Sequence, residues 1–277
     1  MKSRILRGGK VNFNMNRKDY IENKNSKFRN SRIGEISYNR YGSKMTIIEY
    51  NGIYKTKIRF SDGYTKVVRY EHFKDGAVTN PFDISVYGFG YLGMNIGIFD
   101  EPDSLSPPYD RWHSLVQRCY SQKQQKRQPT YIGCTVDQEW KNFQNFALWF
   151  KDNFYQIKDE RMEIDKDILI KGNKVYGPDT CCFVPQKINT LFVKAEKTRG
   201  KNPIGVSYNK KDRKFWSQLN KGNGPIFLGK FDSPQEAFVI YKTEKENHIK
   251  NVAKEYKDLI PDKVYKALMN YIVEETD

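Results

Sequence analysis

Long apolar runs are missing from this 277-residue chain. No stretch approaches the ~20 consecutive apolar residues that a helix needs to cross hydrocarbon, so no membrane span is expected. The first ten residues are basic, but Asn12, Asn14, Asn16 and Arg17 follow where a secretory signal would carry its apolar segment, so no leader is expected. Cysteine is sparse: Cys119, Cys134, Cys181 and Cys182 include no Cys-x-x-Cys pair, and the vicinal pair has poor chelate geometry. Zinc is therefore not expected, and the thiols read as buried groups of a cytoplasmic protein. Histidine is rarer still, with His72, His113 and His248 and no second ligand at chelating distance from any of them. Acidic residues are outnumbered, 33 against 48 lysines and arginines, which excludes mimicry of DNA by an acidic surface.

What is present points to a polyanion. The net charge is +15 and aromatics make up 14% of the chain. That much ring surface normally packs, which argues against disorder throughout, and rings interleaved with cations favour nucleic acid over membrane.

Five segments are expected in an α+β chain. Residues 1–30 are basic and Asn-rich and read as an arm. Residues 31–97 read as a small all-β domain. Asn51-Gly52 and Asp62-Gly63 separate the β-rich runs Met45–Tyr50, Ile53–Phe60 and Tyr64–Tyr70, and such dipeptides accept the positive φ of hairpin turns. A three-strand meander curled into a small β-barrel is expected, and a protein partner could use it. Gly88-x-Gly90-x-x-Gly93 opens no helix and reads as turns, not a phosphate loop. Residues 98–108, with Pro102, Pro107 and Pro108, read as a linker.

Residues 109–195 carry two aromatic stripes at helical spacing. One is Trp112, Leu115, Val116, Cys119 and Tyr120; the other is Trp140, Phe143, Ala147, Phe150 and Phe154. Next come a short strand with Asp165 and Asp167, a Gly/Asn loop, a strand Cys181–Val184 and a helix from Pro185 carrying Asn189. Residues 202–277 follow the basic positions Lys194, Lys197, Arg199 and Lys201. Three strands are expected, Gly205–Asn209, Lys214–Leu219 and Ile226–Phe231. Ser233-Pro234-Gln235-Glu236 then starts a helix, with Ser233 as cap and Pro234 at its first position. In 214–219, period-2 alternation turns Phe215, Ser217 and Leu219 toward that helix and Lys214, Trp216 and Gln218 outward.

Two resemblances follow. Tyr109-x-x-Trp112-His113, Arg118-Cys119-Tyr120, Glu139-Trp140-x-x-Phe143 and the strand–loop–strand–helix after Met162 together resemble the phage and intron-encoded HNH homing endonucleases over roughly 109–192. The resemblance implies a ββα metal finger in which an Asp holds a divalent metal, a His activates water and an Asn orients that His. Asp165 matches the metal Asp, Lys166 stands at the His position, Thr180 stands at the Asn position and Asn189 matches the helix residue. The implied catalytic set is Asp165, Lys166 and Asn189. The implied Mg²⁺ ligands are Asp165, Asp167 and Asn189, with Asn173 a further oxygen donor. Because a lysine is protonated at neutral pH, it is a poor general base, and two readings stand. One is a Mg²⁺-dependent endonuclease. The other is a non-catalytic DNA-binding regulator on a degenerate scaffold.

Gly205–Asn209, Lys214–Leu219, Leu228–Asp232 and Glu236-Ala237 resemble the ethylene-response-factor-type (apetala-type) DNA-binding domain over about 202–250. That resemblance implies a sheet entering the major groove of double-stranded DNA. The expected contacts are Lys210, Lys211, Arg213, Lys214, Trp216, Gln218, Lys221 and Lys230. The alternative of a phage inhibitor of a host protein, acting through the N-terminal β domain, uses none of them.

Overall fold

The computed structural model describes residues 27, 31–94, 106–192, 201–222 and 224–277. The expected basic arm and Lys194, Lys197 and Arg199 lie outside these residues, apart from Lys27. The chain divides into two units, Met1–Met94 and Asn95–Asp277. The expected 109–195 and 202–277 segments both fall in the second.

In the first unit, β1 (Ile36–Tyr38), β2 (Lys44–Tyr50), β3 (Thr56–Phe60) and β4 (Thr65–Val68) form an antiparallel meander in the order β1-β2-β3-β4. Gly52 and Gly63 take φ of +104° and +96°, as the two hairpin dipeptides require. The third strand starts at Thr56 instead of Ile53, because Asn51 N–H donates to Lys55 O and closes a wider turn. The expected barrel does not form. Among the described residues, β1 pairs only with β2 and β4 only with β3, so the sheet stays open. Four strands of three to seven residues are too few and too short to close a cylinder. Instead, Phe73 of α1 (Tyr70–Lys74) and Val78 complete a core with Met45, Ile47, Tyr50, Ile58 and Phe60. Each such side chain contributes roughly 1.5–3 kcal/mol by leaving water. Gly88 lies in the turn closed by the Val86–Gly90 bridge, and Gly93 N donates to Pro81 O at 2.9 Å.

In the second unit, α2 (Ser106–Tyr120) buries Trp112, Leu115, Val116 and Cys119 on one face. It includes Pro107 and Pro108, which the sequence reading places in a linker. A proline in a first helical turn sacrifices no helical hydrogen bond, since those N–H groups lack partners anyway. Ser121 caps α3 (Gln122–Arg127), and β5 (Thr135–Val136) follows. α4 (Phe143–Asn153) starts only after Asn142, whose side chain caps Gln144 N. Trp140 therefore sits in a preceding 3₁₀ turn, but it remains fully buried, edge-on to Phe146 at 4.9 Å.

β6 (Met162–Asp165) pairs antiparallel with β8 (Cys182–Pro185), and α5 (Gln186–Asn189) follows and packs on both. β7 (Val175–Tyr176), in the loop between them, pairs in parallel with β5. The last part is a sheet of β9 (Val206–Asn209), β10 (Lys214–Asn220) and β11 (Pro225–Phe231) in the order β11-β10-β9. α6 (Pro234–Glu255) lies across all three strands, capped by Ser233 Oγ accepting from Glu236 N, and α7 (Asp262–Met269) packs on α6. Lys171, in the β6–β8 loop, donates to Ile272 O at 2.8 Å and Asp277 Oδ2 at 2.9 Å, tying that loop to the C-terminal segment.

Candidate nucleic-acid interface and the strand–loop–strand–helix segment

Asp165 ends β6 opposite Cys182 and is 9% exposed. Its Oδ1 accepts from Asp167 N and Ile168 N, both at 2.7 Å. Burial pushes its carboxyl above the ordinary carboxylate value, against the opposing pull of those two N–H groups. Lys166 is also buried. Its ammonium donates to Asp167 Oδ2 at 2.6 Å and Asn173 O at 2.8 Å, and lies 5.6 Å from the centre of the Tyr176 ring. Asn173 bridges the loop, donating to Lys166 O at 2.9 Å and Val175 O at 2.7 Å. Thr180 Oγ donates to Val175 O at 2.8 Å and accepts from Gly177 N at 3.1 Å. Asn189, half-buried, sits at the end of α5, which packs on β6. The four family-matched positions thus lie on one strand–loop–strand–helix, and Asp165, Lys166 and Thr180 all bond within it.

Among the described residues, no group of three or more His, Cys, Asp and Glu is placed to hold a metal ion. Cys119 and Cys181 are buried, which pushes each thiol up to about 12. His113 packs beside Tyr109, with ring centres 5.7 Å apart.

On β10, Ser217 and Leu219 are buried at 0% and 1%, and α6 packs on that strand. Phe215 is only half-buried because it lies near the sheet's end, against Tyr208 at 5.1 Å. Strand alternation puts Trp216 on the opposite face, directly across from Lys230 and Ser207. Trp216 is half-buried there. Phe227 meets it edge-on at 5.3 Å, the Lys230 ammonium sits 5.5 Å from its ring centre, and its Nε1 donates to Asp212 Oδ2 at 3.1 Å. Gln218 is half-buried, paired with Phe227 beyond a bulge at Ser217/Gln218.

The β9–β10 turn is built by Asn209 Oδ1, which accepts from Lys211 N and Asp212 N at 2.9 and 3.1 Å, and by Arg213 at φ +51°. It holds the exposed Lys210, Lys211 and Arg213, which have no ion pair among the described residues. The other three expected cations are paired: Lys230 with Asp212 at 2.5 Å, Lys221 with Glu244 at 3.5 Å, and Lys214 with Asp232.

The sequence reading missed a cleft of about 630 Å³ between α2 and β6, lined by Arg111, Arg118, Arg161 and Glu163 among others. Glu163 accepts from Arg161 at 2.6 Å and Arg111 at 3.5 Å. The available signal was the seven-residue spacing of Arg111 and Arg118, which puts both on one helix face. Comparison with family models, curated proteins and solved structures gives no match.

Proposed function

We propose that the chain is a double-stranded-DNA-binding protein that contacts duplex through the outer face of the β9–β11 sheet, and that residues 162–189 serve it as a non-catalytic scaffold. The observation that carries the first half is Trp216. It is a half-exposed indole beside Lys230, on the sheet face away from α6, next to a turn with three cations that have no ion pair among the described residues. Three strands at ~4.8 Å spacing measure ~10 Å between outer axes, within the ~12 Å width of a major groove. Gln218 offers an amide for adenine, and Lys210, Lys211 and Arg213 offer charge for phosphate.

The scaffold half rests on how the polar groups of the loop are occupied. Asp165 Oδ1 accepts from two backbone N–H groups, and Lys166 places a buried cation on Asp167, where a divalent ion would meet like charge. Both carboxylates are engaged by the loop's own donors, which favours a structural role for them over Mg²⁺ binding. The HNH-type reading of the segment supplies the ancestry of such a scaffold, and the apetala-type reading supplies the docking mode.

The test is duplex binding by anisotropy, with a nicking gel in Mg²⁺ or Mn²⁺ against EDTA. Trp216→Ala should weaken duplex binding by roughly 1–3 kcal/mol, by an amount that depends on target sequence. Lys210→Ala should weaken all sequences alike. Metal-dependent nicking lost in Asp165→Ala would overturn the scaffold half and leave the binding half standing.

A further inference from the structure

We infer that the outer face of the N-terminal β1–β4 sheet is a separate site for single-stranded nucleic acid, with Tyr38 as the stacking ring and Lys44 and Arg59 as the phosphate contacts. The sheet has a core face and a second face whose side chains are largely exposed among the described residues. Met45, Ile47, Ile58 and Phe60 are 0–2% exposed and fill the core face. The alternating residues therefore point the other way. On β1 these are Ile36 and Tyr38, exposed at 50% and 59%. Register places Tyr38 directly opposite Lys44, and Ile36, Thr46, Arg59 and Thr65 in one row across the four strands.

Sign decides the class of ligand. Among the described residues, Glu49 is the one acid on this face, and it is paired with Lys57 at 2.8 Å. Lys44 and Arg59 have no ion pair among the described residues, and the β1–β2 turn adds the exposed Arg40 and Tyr41. Residues 1–30 carry nine lysines and arginines against two acids, so that segment shares the sign of the face and cannot neutralise it. Two cations, two hydroxyls and a ring, with the exposed Ile36 and Val67 on the same face, suit a backbone of phosphates whose bases lie on ring and apolar side chains.

Shape decides between duplex and single strand. Four strands measure ~14 Å between outer axes, more than the ~12 Å of a major groove. A duplex also hides its base faces, and the exposed ring of Tyr38 has something to stack on only where bases are unpaired. This site does not rest on the β9–β11 reading.

The experiment uses the full chain with fluorescent oligothymidylate and, separately, a duplex. Tyr38→Ala should lower single-strand affinity roughly 5- to 100-fold, Tyr38→Phe should restore most of it, and Lys44→Glu with Arg59→Glu should lower it further. All three should leave duplex affinity within about twofold, whereas Trp216→Ala should do the reverse. These side chains are exposed, so thermal unfolding should be unchanged. The inference is overturned if the wild type fails to bind oligothymidylate, if the double charge reversal leaves that binding unchanged, or if poly-glutamate competes as well as the oligonucleotide. A silent Trp216→Ala in the duplex arm would overturn the other reading alone.

Discussion

Burial of the Asp165 carboxyl has two opposing consequences. Its Oδ1 satisfies two backbone N–H groups that would otherwise be orphaned beneath the surface, a service worth about 1–3 kcal/mol. Its charge, however, is held in a poorly solvated place, so its folded pKa lies above the ordinary 3.8. The folded state then holds that proton more tightly than the unfolded state does. Stability from this group is therefore fullest below the unfolded pKa and falls as pH rises through the window up to the folded value. Asn keeps the accepting oxygen and discards the charge. Asp165→Asn should gain stability relative to wild type as pH rises from about 4 to 7, read by urea denaturation at each pH. Asp165→Ala should lose roughly 1–3 kcal/mol at both, because the N–H groups lose their acceptor. If both variants behave alike, the turn-capping role is wrong.

At the scale of elements, Gly205 separates packing from backbone preference. It enters β9 at φ +74°, and a Cβ there would lie 2.0 Å from Cδ2 of Tyr241 on α6. Gly222, in the β10–β11 turn, has φ +110° and nothing within 4 Å. Gly205→Ala should cost about 2–4 kcal/mol, combining left-handed strain with overpacking, whereas Gly222→Ala should cost about 1–2 kcal/mol from strain alone. Equal losses in thermal melts would mean that α6 does not seat on this glycine. The elements themselves were legible where a local rule decides them. Asn-Gly and Asp-Gly marked hairpins, Ser233-Pro234 marked the start of α6, and period 2 assigned Ser217 and Leu219 to the buried face. β1 escaped because Ile36–Tyr38 is three residues long and owes its strand state to pairing with β2. Trp140 keeps helical spacing with Phe143 yet precedes the helix, since burial selects the spacing whether the turn is α or 3₁₀. Barrel closure was illegible in principle, being a choice between distant edges that no local pattern encodes.

Across the whole molecule, the net charge of +15 was legible in the sequence, but the way the cations are spent was not. Several ion pairs join residues far apart in sequence. Lys166 with Asp167 is a neighbour pair, yet Lys230 with Asp212 and Lys221 with Glu244 appear only once the chain is folded. The same holds for the arginines that meet across the α2–β6 cleft. This matters for binding, because among the described residues only Lys210, Lys211 and Arg213 of the six expected cationic contacts have no ion pair. If those three alone meet phosphate, log K should fall with log salt at a slope of about −2.7, at −0.9 per phosphate. An exposed ion pair is worth only about 0–1 kcal/mol, so Lys214, Lys221 and Lys230 can exchange a carboxylate for a phosphate at little cost. Recruiting one to three of them steepens the slope to between about −3.6 and −5.4. That steeper range is the expected result in a titration of duplex from low to physiological salt. Asp212→Asn discriminates further. It frees Lys230 and removes a negative charge beside Trp216, while an amide oxygen still accepts from the indole. Duplex binding at low salt should tighten, and the gain should shrink as salt screens it. A salt-independent affinity, or an Asp212→Asn protein that binds duplex more weakly, would remove the β9–β11 face from the interface.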